Sequence, residues 1–81
     1  MILKTGDTGS LVQLLQTALI RSGFLSGEAD GIFGHRTEDA VRRFQTAFGL
    51  TPDGIAGEKT FSHLEKYITG YYIKTLNKGD T

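Results

Sequence analysis

The chain has 81 residues, no cysteine, and nine basic residues balanced by nine acidic ones. That length implies one small domain, burying only ~60% of the surface its unfolded chain exposes. The missing cysteines exclude disulfides, thiolate metal sites and cysteine nucleophiles. The zero formal charge argues against a nucleic-acid or membrane-surface role, and no apolar stretch is long enough to span a bilayer.

The first ten residues show no signal-peptide layout. Gly6-Asp7-Thr8-Gly9-Ser10 is turn-rich, and several of its residues are able to cap a helix. From Ser10 to Ser22, Val12, Leu15 and Leu19 recur at three- and four-residue steps, with Leu11, Leu14 and Ala18 widening the stripe. This pattern predicts an amphipathic helix. Gly23 follows, where a left-handed stop favours glycine.

A glycine-rich, acidic loop occupies residues 24–34, with Phe24 and Leu25 expected to fold back onto the first helix. The second helix is predicted over about His35 to Phe48, with Ala40, Val41, Phe44, Ala47 and Phe48 as its apolar stripe and Gly49 as its stop. Arg36, Arg42 and Arg43 alternate with Glu38 and Asp39, which marks a solvated face. A third helix is predicted over about Glu58 to Ile68, with Phe61, Leu64, Tyr67 and Ile68 on one side and Gly70 ending it. The aromatic, β-branched run from Tyr71 to Leu76 then reads as extended.

The middle of the chain repeats itself. Gly23-Phe24-Leu25 leads to Asp30-Gly31-Ile32-Phe33-Gly34 and Thr37; Gly49-Leu50 leads to Asp53-Gly54-Ile55-Ala56-Gly57 and Thr60. Asp-Gly favours a tight turn because glycine accepts positive φ and aspartate bonds its own backbone. The isoleucine after each turn is expected to point inward as an anchor. Two copies are too few for a solenoid. The predicted fold is all-α, a compact three-helix bundle with two Asp-Gly-Ile-x-Gly loops and an extended C-terminal tail.

These residues carry a family likeness. The ordered set of Gly6-Asp7, Val12, Leu15-Gln16, Leu19, Gly23, the first loop to Thr37, Ala40-Val41, Phe44-Gln45, Gly49-Leu50 and the second loop to Thr60 closely resembles the three-helix peptidoglycan-binding domain found beside bacterial cell-wall hydrolases and in phage lysins. The resemblance spans roughly residues 3–66. It implies a non-catalytic module that targets a partner domain to the wall. Related folds act as metalloprotease propeptides through a cysteine on zinc, a mode closed to this chain. Family members often carry proline after each loop, where this chain has His35 and Glu58. The tail from Tyr72 to Thr81 weakly resembles the start of a LysM repeat. The expected division is therefore a peptidoglycan-binding-like domain over 1–68 and a linker or LysM-like opening over 69–81.

No site for catalysis is expected. A small three-helix domain has no deep cleft to raise a carboxylate's pKa. His35 and His63 fall on different helices and read as surface residues, and no serine has a base nearby in sequence. No metal and no cofactor are expected. Binding is different. Peptidoglycan presents N-acetylated glycan and stem peptides bearing carboxylates and amides. The corner formed by Asp30, Gly31, Phe33, Gly34, Arg36 and Thr37 offers backbone donors, a cation and an aromatic group. Arg36 is either a clamp for a stem-peptide carboxylate or a solvated side chain. Phe33 is either a wall of that site or part of the core. Gln16 and Gln45 are expected to tie loops to helices rather than touch ligand.

The expected partners are peptidoglycan and a linked catalytic or LysM domain, with no nucleic acid and no membrane. The expected location is extracellular, at the cell wall or in a phage particle. A structural module in a phage-tail or wall-associated assembly is the alternative, and a piece of a hydrolase whose catalytic part lies elsewhere is a third.

Overall fold

The structure, a computed structural model, describes residues 2–67. Three helices form: α1 (Ser10–Arg21), α2 (His35–Ala47) and α3 (residues 58–67). The fold is all-α, as the periodicity predicts. The expected extended tail at 69–81 lies outside the described residues.

Val12, Leu15 and Leu19 of α1 meet Ala40, Val41 and Phe44 of α2 and Leu64 of α3 in one core. Leu3, Leu25, Phe33 and Ala56 close it from the connecting segments. Beyond this centre, Phe24 packs edge-on to Phe44 at 5.2 Å between centroids, and Phe48 stacks on Phe44 at 4.4 Å. Leu11 and Ala47 are exposed, so the buried stripe of each helix is narrower than its apolar residues suggest.

Both loop-entry glycines stop their helices in the same way. At the end of α1, Gly23 N–H donates to the Ile20 carbonyl (3.0 Å) and Phe24 N–H to that of Leu19 (2.9 Å). At the end of α2, Gly49 donates to Thr46 (3.2 Å) and Leu50 to Gln45 (2.7 Å). Each pair is a Schellman cap, with glycine at positive φ between its two bonds. Leu25 N–H also donates to Leu19, so the chain folds back on α1 as expected.

The start of α1 differs from expectation. Gly9 occupies the cap position, and no side chain caps the helix. Instead Asp7 closes its own turn, accepting from Lys4 N–H at 3.0 Å. The approach to α1 is set by pairing: residues 3–9 run antiparallel to both repeat loops. Leu3 exchanges backbone bonds with Ala56 (3.0 and 2.8 Å). Further along, Phe33 N–H donates to Asp7, and Gly6 and Gly9 donate to Phe33 and Gly31.

That pairing overturns the expectation that the isoleucines anchor the core. Successive residues of an extended segment face opposite ways. The bridges Thr8–Ile32 and Leu3–Ala56 turn Phe33 and Ala56 inward and the isoleucines outward. Phe33 is 1% exposed, whereas Ile32 is 57% and Ile55 41% exposed.

Candidate functional site

Each repeat loop is built around a buried glutamine. Gln16 Nε2 donates toward Asp30 Oδ1 (3.0 Å), the Ile32 carbonyl (3.0 Å) and Thr37 Oγ1 (2.9 Å). Its Oε1 accepts from Gly31 N–H at 2.7 Å. Gln45 repeats the cage with Asp53 Oδ1, the Ile55 carbonyl and Thr60 Oγ1, all at 3.0 Å, and accepts from Gly54 N–H at 3.0 Å. The glutamines therefore tie helix to loop, as the sequence suggests. Among the described residues, no buried side-chain nitrogen or oxygen lacks a partner.

The aspartates complete each cage. Asp30 Oδ1 accepts from Ile32 N–H (3.0 Å) and Asp53 Oδ1 from Ile55 N–H (2.9 Å). These backbone donors come first in holding both carboxyls below the usual carboxylate range, with the glutamine amides adding to the effect. Desolvation acts the other way at both sites and loses.

Glycine is strongly favoured at Gly31 and Gly54. Both sit at positive φ, +78° and +76°. A Cβ on Gly31 would come 3.2 Å from the Gly9 carbonyl oxygen, and one on Gly54 would come 2.9 Å from Glu38 Cγ. Even the bond supporting the residue before each aspartate recurs. Gln13 Nε2 donates to the Ala29 carbonyl (3.0 Å) and Arg42 Nη1 to that of Pro52 (2.9 Å).

A surface hollow lies outside each cage. The first, of about 190 Å³, is lined by Leu25, Asp30, Ile32, Gly34, Arg36 and Thr37, with Glu28 and His35 at the same opening. Of the predicted site residues, Asp30, Gly34, Arg36 and Thr37 thus come together. Gly31 is buried beneath them in the cage, and Phe33 is in the core. Its apolar lining is Leu25 together with Ile32, the residue expected to point into the core. Arg36 is exposed and donates from Nη2 to the Ser26 carbonyl.

Arg42 and Arg43 are exposed, as expected of a solvated face, and pair with Glu38 at 3.3 Å and Asp39 at 3.0 Å. Arg43 also reaches the Phe24 carbonyl at 3.0 Å, clasping the first loop to α2. His35 and His63 are both exposed.

Residues 8–64 match the family model of the peptidoglycan binding domain. The chain belongs to that family. The chain is 45% identical to the spore cortex-lytic enzyme of Bacillus cereus over 80 residues, which cover 99% of the chain but 30% of that enzyme. It thus spans less than a third of the length of that relative. The crystal structure of the SleB N-terminal domain superposes with a TM-score of 0.78 at 44% identity, covering 82% of the chain and 90% of that domain. The Burkholderia AP3 phage endolysin superposes at 0.76 and 47% identity, covering 79% of the chain and 24% of the endolysin. The similarity to the cortex-lytic enzyme and to the endolysin is therefore a similarity to one part of each.

Proposed function

We propose that this chain is a targeting module that holds a longer protein on bacterial peptidoglycan, and that it carries out no catalysis itself. The carrying observation is the first corner, where a hydrogen-bonded cage presents Ile32, Asp30 and Arg36 around one hollow in a chain of this family. A stem peptide presents carboxylates, amides and short apolar side chains. Arg36 has five N–H donors in a planar fork. Its bond to Ser26 leaves the others for a ligand carboxylate. Ile32 supplies apolar contact. In this reading, by analogy with the relatives, the linked domain is a cell-wall hydrolase and the whole protein acts at the wall or spore cortex.

Co-sedimentation with purified insoluble cell wall at physiological salt tests this reading. Retention is expected, and Arg36→Ala should weaken it about tenfold, the scale of one charge-assisted hydrogen bond. A folded sample that stays wholly in the supernatant would refute the reading.

A further inference from the structure

The second corner has no assigned role, yet its hollow is the larger of the two, about 460 Å³ against 190 Å³. Its lining matches the first by position in the repeat. Gln45 stands for Gln16, Asp53 for Asp30, Ile55 for Ile32 and Thr60 for Thr37. Lys59 takes the place of Arg36, and a leucine lines each hollow, Leu50 here and Leu25 in the first.

A turn that served only to start α3 would need the cage and nothing outside it. Here the exterior is repeated as well: an exposed isoleucine wall and an exposed cation in the same place. The cation recurs as lysine, although the bond that holds Arg36 has no counterpart. Arg36 bonds back to Ser26 in the longer first loop, whereas the loop from Gly49 to Asp53 is too short to offer a counterpart.

The charges narrow the ligand class. Each hollow carries carboxylates beside its cation: Glu28 and Asp30 with Arg36 in the first, Asp53 and Glu58 with Lys59 in the second. A neutral glycan can hydrogen-bond to these groups but brings no charge of its own to pair with them. A peptide bearing both an ammonium and a carboxylate does, and the diamino acid of a stem peptide has this character. A carboxylate meets the lysine and an ammonium meets the acids.

We infer that the corner from Gly49 to Thr60 is a second binding site for zwitterionic stem peptide, so that one module grips peptidoglycan at two points. The inference rests on the wall-binding reading proposed above. Two weak sites on one rigid scaffold gain avidity on a polymeric wall that neither has alone.

Titration of the whole 15N-labelled chain with a soluble disaccharide–tetrapeptide, followed by amide shifts, reads both corners at once. Saturable shifts are expected at Gly54, Ile55, Lys59 and Thr60 as well as at Ile32 to Thr37. Lys59→Ala, a change at an exposed position, should weaken the second set about tenfold and leave the first unchanged. Shifts confined to the first corner would overturn the second site while leaving wall binding intact. No shift at either corner of a folded sample would remove both. Equal response of the second corner to the peptide-free disaccharide would overturn the stem-peptide assignment.

Discussion

Gln16 Nε2 donates to Thr37 Oγ1 at 2.9 Å across 21 residues of sequence, so one side chain fastens α1 to the first turn of α2. The amide has two protons and three acceptors around it. Gln16→Glu keeps the shape and turns the donor into an acceptor, aiming a carboxylate oxygen at those same groups. The expected loss is about 3 kcal/mol, the cost of unpaired buried polar groups. Urea unfolding measures it, and a loss below about 1 kcal/mol would show the cage to be dispensable. Gln45→Glu should behave alike.

Phe33 and Ile32 should separate stability from binding. Phe33→Ala empties a core position and should cost about 3–5 kcal/mol. Ile32→Ser removes an exposed side chain and should change stability by less than about 1 kcal/mol. It should nevertheless reduce retention on insoluble wall. Equal stability losses in the two variants would contradict the inward and outward assignment.

Gly31→Ala tests the tight approach to Gly9. The substituted residue would have to hold positive φ with its Cβ 3.2 Å from a carbonyl oxygen. A cost of roughly 1–3 kcal/mol is expected, visible as a lower urea midpoint with unchanged slope. Gly23→Ala, where a Cβ meets nothing within 4 Å, carries only the conformational penalty and should cost less.

Acid should loosen both corners. The carboxyls of Asp30 and Asp53 sit lower in the folded chain than the ~3.9 of an unfolded aspartate. Their contribution is therefore complete above the unfolded value and is lost as pH falls through the folded one. Stability should decline below about pH 4. An Asp30→Asn, Asp53→Asn double variant keeps an Oδ1 acceptor in each cage and should decline less steeply. Identical pH profiles for the two proteins would assign the acid sensitivity to other groups.

The helices were legible in the sequence because their signals are local. Apolar spacing, two left-handed glycine stops and a doubled Asp-Gly turn each act within a few residues. The glutamine ties were legible too, since an amide set beside an apolar stripe needs partners, though which loop groups supply them was not. The start of α1 was not, because Gly9 is positioned by its bond to Gly31 rather than by a side-chain cap.

What the sequence alone determined was the element order, the all-α class and the existence of two matched corners. Only the tertiary structure decided which residue of each Ile-x pair faces outward. A period-two alternation has no sign until a partner strand sets its register. Here the partner is the segment from Leu3 to Gly9, which no local pattern marks as the mate of both loops. Its pairing turns Phe33 and Ala56 into the core and leaves Ile32 and Ile55 to line the two hollows.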